Sequence, residues 1–150
     1  MDDMLDRELR ASLRSGRGIG FIMGDIDHFK RFNDLYWHEI GDVLLKAVAN
    51  VMRGGIRVED IACRYGGEEF LIILPSANLD AAYRRAEQLR LDVGRISLTD
   101  SGRQIENITI SLGVAAFPDN GKTAYDLIAA ADGAMYKAKR KGRNRVCLPG

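Results

Sequence analysis

"RVEDIACRYGGEEFLIILP" occupies residues 57–75, and its reading decides what kind of sheet the chain builds. Two apolar runs, the second ("FLIIL") without a single charge, flank Gly66-Gly67. Paired glycines between such runs predict a β-hairpin with a two-residue link, because primed turns need positive φ. Pro75 stops the second strand, since proline cannot donate to a ladder. Antiparallel pairing is thereby expected at the centre of the fold. The same stretch raises a chemical question. Glu68 and Glu69 stand side by side at the mouth of a buried strand, where charge is costly unless something neutralises it.

Working outward, "GIGFIMGD" (18–25) is a compact apolar run ending in an acid and reads as a buried strand. "HFKRFNDLYW" (28–37) puts Phe29, Phe32 and Tyr36 at helical spacing, and 42–52 places Val43, Leu44, Ala47, Val48 and Val51 on one helical face. A short helix is expected over 5–14 and an amphipathic one over 78–93. "NITISLGVAAF" (107–117) is β-branched and alternating, then closed by Pro118. Thr123 and Asp126 cap a helix over 124–141, which ends in cations with Gly142 just beyond. "RVCL" (145–148) reads as a last short strand. The order predicts one domain over 1–150: an α/β sandwich with a ferredoxin-like βαββαβ core, its mainly antiparallel sheet covered by helices.

Composition excludes several classes. A net charge of +1 is too balanced for a protein whose main work is gripping duplex nucleic acid. Cys63 and Cys147 have no CxxC partner and read as reduced thiols of a cytoplasmic protein. No basic, apolar leader opens the sequence, and no run approaches the roughly 20 apolar residues of a membrane span.

If the first strand and the hairpin are neighbours, Asp25 and Glu68 meet at one sheet edge. Alternation lets Asp25 and Asp27 share a side and sends Glu68 and Glu69 different ways. Converging carboxylates repel unless a cation sits between them, and Mg²⁺, which takes one or two carboxylates and substrate phosphate oxygens, is a natural neutraliser. Solvated strand-end charges beside an ordinary turn are the alternative. The start of helix 28–37 offers free N–H groups to a phosphate, with Lys30 beside them. Lys139 and Arg143 form a second basic pair, readable equally as compensation of the last helix's dipole.

Five ordered blocks carry a resemblance. "RYGGEEF" (64–70) resembles the signature of the GGDEF family, the diguanylate cyclases, in its GGEEF form. "DIDHFKRFND" (25–34), "HEIGD" (38–42), "ISLGVA" (110–115) and "ADGAMYKAKRKGRNRV" (131–146) are similar to further family segments, so the likeness spans roughly 15–148. It implies a core like that of nucleotide cyclases and polymerase palms, and synthesis of cyclic di-GMP from two GTP with release of two pyrophosphates. It implies Mg²⁺, with Mn²⁺ as a substitute, held by Asp25, the Ile26 carbonyl and Glu68, with Glu69 as a further contact. Glu68 is also implied as the group drawing the proton from the attacking 3′-hydroxyl, and Lys30 as the stabiliser of transition-state charge. Phe29 and Lys30 would offer backbone N–H groups to phosphates, and Lys139 and Arg143 their side chains. Asn33, His38 and Asp42 would contact the substrate, Asn33 and Asp42 at guanine. A twofold-symmetric product implies a homodimer. "RVED" (57–60) matches the family's RxxD inhibitory site for cyclic di-GMP, through Arg57 and Asp60; a surface ion pair is the other reading. A non-catalytic module binding GTP or cyclic di-GMP is the alternative to an enzyme.

Two departures stand out. The family usually has glycine where this chain has Trp37, so a positive φ there would be strained. The family's DxLTGLxNR-like stretch is not seen before the first predicted helix. The expectation is a truncated N-terminal helix over 1–14 and a sensor domain upstream of this sequence.

Overall fold

The computed structural model describes residues 2–150, with side chains for all of these except 2–4 and 13. Strands β1 (Ile19–Ile26), β2 (Ile61–Gly66), β3 (Glu69–Pro75), β6 (Ile110–Phe117) and β7 (Val146–Cys147) form one sheet in the order β2-β3-β1-β6-β7. Every pairing in it is antiparallel except β6 with β7. The mixed α/β sandwich expected from the sequence is therefore the fold. Strand alternation divides its core into two layers. Ile22, Ile72, Leu112 and Val114 pack against helices α2 (Phe29–Gly54) and α3 (Leu79–Val93). Phe21, Met23, Leu71 and Ala115 pack on the other face against α1 (Asp2–Ser15) and α4 (Ala124–Arg140). Asn78 and Thr123 cap α3 and α4, each side chain accepting a backbone N–H three residues on.

The hairpin forms, but not by the expected turn. Gly66 is the last residue of β2, paired with Glu69, so the link is Gly67-Glu68. Neither glycine has positive φ. A bulge at Tyr65, between the Arg64–Phe70 and Gly66–Glu69 pairs, redirects the strand instead. The primed-type link lies elsewhere. Ser101 (φ 51°) and Gly102 (φ 80°) join β4 (Leu98–Asp100) to β5 (Arg103–Ile105), a small hairpin that sequence reading missed. The "DSGR" string was its signal. Arg103 lies over the Tyr36 ring, 5.4 Å from its centroid, and ties this hairpin to α2. The strand expected from 107 starts at Ile110, because Asn107 is left-handed (φ 63°).

The two helices expected over 28–37 and 42–52 are halves of α2, bent at Trp37 (φ 75°, ψ 160°). That conformation is essentially reserved for glycine and costs of order 1–3 kcal/mol in any other residue. Trp37 is 79% exposed, so packing within the chain recovers little. Trp37→Gly is expected to raise stability by about 1–2 kcal/mol, the relief of strain exceeding glycine's entropy cost. Urea unfolding checks this; an equal or lower midpoint would show that the indole repays its own strain.

Candidate active site at one edge of the sheet

β1 carries Asp25 next to its end, and the register sets it directly opposite Glu69 on β3 and Ser111 on β6. Like charges placed opposite each other are unfavourable. The turn adds a third acid, since the Glu68 carbonyl accepts the Ile26 N–H at 3.4 Å and thereby fastens the link to the end of β1. Lys139 in the last turn of α4 donates to Asp25 Oδ2 at 2.5 Å. Burial above all raises the Asp25 carboxyl, Lys139 lowers it and the charges of Glu68 and Glu69 raise it further, to about 6 in balance. Both glutamates thus bear on Asp25 through their charge.

The raised value has a stability consequence. Between pH 3.8 and about 6 the folded chain holds a proton on Asp25 that the unfolded chain has released, so this group makes stability fall as pH rises through that window. Asp25→Asn is expected to flatten that slope and to be the more stable form above pH 6. Unfolding midpoints at pH 4 to 8 decide it; an unchanged slope would remove the electrostatic reading.

Asp27 does not join this group. Its buried carboxylate accepts from Thr109 Oγ1 (2.7 Å), Ser111 Oγ (2.6 Å) and the Asn144 backbone N–H (3.0 Å). It fastens the loop after α4, where Arg143 (φ 65°) and Asn144 (φ 47°) are both left-handed. Asp25 and Asp27 share a side as expected, that of Phe21 and Met23, and both are held from α4 and the loop after it, through Lys139 and Asn144. No sequence pattern announced the Asp27 anchor, whose partners lie 82 to 117 residues away.

The start of α2 differs from those of α3 and α4. His28 sits at its N-cap in a left-handed conformation (φ 58°) and provides no side-chain cap. Phe29 and Lys30 begin the helix there, with Lys30 exposed. The bend at Trp37 folds the first half of α2 back on the second. A Cβ on Gly41 would lie 1.8 Å from Asn33 Oδ1, although eight residues of straight helix would separate them by about 12 Å. Asn33 is thus brought against Gly41, the residue before Asp42, and its Oδ1 is buried without a hydrogen-bond partner. His38 is exposed at the bend. Asp42 opens onto a cavity of about 400 Å³ that runs between α2 and β2 past Lys46, Arg53, Cys63 and Arg64 to Phe70. Arg64 Nε also donates to the Gly67 carbonyl at 2.7 Å, which links this cavity to the glycine turn. Nothing lies within 4 Å of a Cβ on Gly66 or Gly67. The fold itself does not demand glycine at either position, and their openness leaves room beside the acids.

Arg57 and Asp60 also differ from a loose surface pair. The Asp60 side chain is fully buried; it accepts the Arg57 backbone N–H at 2.7 Å and pairs with the Arg57 guanidinium at 3.3 Å. Arg85 on α3 approaches the same carboxylate at 3.8 Å and donates to the Gly55 carbonyl. Sequence reading missed Arg85, one of two adjacent arginines on the polar side of its helix. Arg57, Ser76 and Arg85 border a pocket of about 160 Å³.

Helix-covered sandwiches of this kind, with a mainly antiparallel sheet, are the architecture of GGDEF domains of known structure. This chain belongs to the GGDEF family: the family model described as "Diguanylate cyclase, GGDEF domain" matches residues 1–145. It is 40% identical over 147 residues to the response regulator PleD of Caulobacter vibrioides, covering 97% of this chain and 32% of that protein. It is 41% identical over 130 residues to diguanylate cyclase A of Treponema denticola, covering 87% and 35%. The chain spans about a third of the length of these relatives. Among solved structures, the GGDEF domain of DgcB from Caulobacter crescentus, in complex with c-di-GMP, superposes with a TM-score of 0.90 at 35% identity, covering 98% of this chain and 86% of that one. The active GGEEF domain of a diguanylate cyclase from Vibrio cholerae gives 0.88 at 31%, covering 96% and 90%. No helix among the described residues is long and apolar enough to cross a membrane.

Proposed function

We propose that this domain is a diguanylate cyclase, joining two GTP into cyclic di-GMP and releasing two pyrophosphates. The observation that carries this reading is that Asp25 stands opposite Glu69 and within the field of Glu68 at one sheet edge, with Lys139 as its cation. Carboxylate oxygens are the donors a hard divalent cation takes, and the charge these acids impose on Asp25 is what such an ion relieves. Asp25, Glu68 and the Ile26 carbonyl would hold Mg²⁺ or Mn²⁺, with Glu69 adjoining. A bound divalent ion neutralises triphosphate charge and polarises the α-phosphoryl group.

The chain's own groups do the rest. The uncapped N–H groups of Phe29 and Lys30, with the Lys30, Lys139 and Arg143 side chains, take the phosphates. Guanine presents N1–H and N2–H₂ side by side; Asp42 and the unpartnered Asn33 Oδ1 accept them, and adenine offers no matching pair. His38 adds a substrate contact at the bend. Glu68 draws the proton from a 3′-hydroxyl as its oxygen bonds to the α-phosphorus and the bond to pyrophosphate breaks. Each GTP supplies both a hydroxyl and an α-phosphate, so two chains face each other about a twofold axis.

Concentrated protein incubated with GTP and Mg²⁺ tests this by separation of the nucleotides. Cyclic di-GMP with two pyrophosphates, and no product from ATP, is expected. GTP that is bound but unchanged would make the domain a non-catalytic nucleotide-binding module.

Product feedback belongs to the same reading. Asp60 is committed to Arg57 and Arg85, so it holds two guanidiniums at the small pocket rather than meeting the ligand alone. The c-di-GMP complex of the DgcB domain supports a product site on this fold. Arg57→Ala is expected to leave initial rates within about twofold and to weaken product inhibition at least about tenfold. Unchanged inhibition would remove the site.

A further inference from the structure

Asp25 and Asp27 are two residues apart, yet they are held in opposite ways. Asp27 has three neutral donors, a hydroxyl from each of two residues and a backbone N–H. Asp25 takes no such bond among the described residues. Ser111, its partner across β6, gives its hydroxyl to Asp27 instead. Glu69 faces Asp25 from β3, and Glu68 adds its charge from the turn. Among the described residues, the one group donating to Asp25 is the Lys139 ammonium on Oδ2. As the side chains stand, no three His, Cys, Asp or Glu among the described residues lie close enough together to hold a metal ion. An ammonium is a compact point charge on a flexible stem and is easily re-aimed. The backbone beneath it is fixed, since a Cβ on Gly113 of β6 would lie 2.1 Å from the Ala131 carbonyl oxygen of α4. A side chain only 27% exposed can therefore move while the helix bearing it stays in place.

We propose that Lys139 is an exchangeable stand-in for the divalent cation. It neutralises Asp25 in the nucleotide-free protein, then yields that carboxylate to the metal and moves to the nucleotide's phosphates. This rests on the metal assignment above. It makes metal and nucleotide binding mutually dependent. Metal alone must displace the lysine, whereas metal arriving with phosphates gives the lysine a new partner.

Mn²⁺ binding, followed at pH 8 by electron paramagnetic resonance of the free ion, tests it without turnover. In the nucleotide-free protein, Lys139→Met is expected to tighten Mn²⁺ binding by about fivefold or more. A GTP analogue with a methylene between the α- and β-phosphorus, which cannot be cyclised, is expected to raise Mn²⁺ affinity by a larger factor in the unmodified protein than in this variant. Unchanged or weaker Mn²⁺ binding by Lys139→Met overturns the proposal. Asp25→Asn separates the two ideas: it should lose Mn²⁺ binding, and if it binds as before, the metal assignment itself has failed. Should Lys139→Met not fold, ¹⁵N-lysine spectra of the unmodified protein serve instead. Mg²⁺ with the analogue is expected to shift the Lys139 ammonium signal, and an unmoved signal overturns the exchange.

Discussion

Glu68→Gln is expected to lower the rate of cyclic di-GMP formation by at least about a thousandfold. The substitution keeps the shape of the side chain and removes both its charge and its capacity to accept a proton. The hairpin should survive, because the contact from Glu68 to the end of β1 is made by its backbone carbonyl, not its side chain. Removing one of the two charges that push Asp25 upward should leave stability at pH 8 equal or slightly raised. Rate and unfolding midpoint are therefore predicted to part company. A rate within tenfold of the original would show that Glu68 neither holds the metal nor takes the proton. A collapse of stability alongside the rate would instead make the residue a structural member of the turn.

The second large effect is on stability alone. Gly113 lies at the middle of β6, where a Cβ would stand 2.1 Å from both the Ala131 carbonyl oxygen and the Met135 backbone nitrogen of α4. These are backbone atoms of a helix packed on the sheet, so no rotamer change can clear them. Overpacking of cores costs typically 1–3 kcal/mol, and with backbone as the obstacle Gly113→Ala is expected to cost about 3 kcal/mol or more. For a domain of this size that lowers the melting temperature by roughly 6–12 °C. Calorimetry measures it, and a shift under 2 °C would mean that α4 can lift from the sheet. Because Lys139 and Arg143 are carried by α4 and the loop after it, any lifting should also weaken nucleotide binding. The same close contact therefore sets both the packing of the layer and the height of its cations over Asp25.

The elements with strong periodicity were legible from the residues. Alternation in 110–117, helical spacing in 79–93 and the Thr123 cap of α4 arise from neighbours a few positions apart, and the sequence carries such short-range physics directly. The acids beside the glycines were also legible, because charge at the mouth of an apolar run needs an explanation wherever it occurs. The turn geometry was not. Gly66-Gly67 resembled a primed link, while the chain uses a bulge at Tyr65 there and keeps the left-handed link for Ser101-Gly102.

By itself the sequence determined the layered α/β domain and its family, and put forward a set of charged candidates that lacked Arg85. Only the tertiary structure decided which of them meet. Lys139 reaches Asp25 across 114 positions, Asp27 holds the loop at Asn144, and Arg85 joins Arg57 around Asp60. Those pairings depend on strand register and on how closely helices seat on the sheet. Both are fixed by the packing of the whole core, and no local run of residues encodes them.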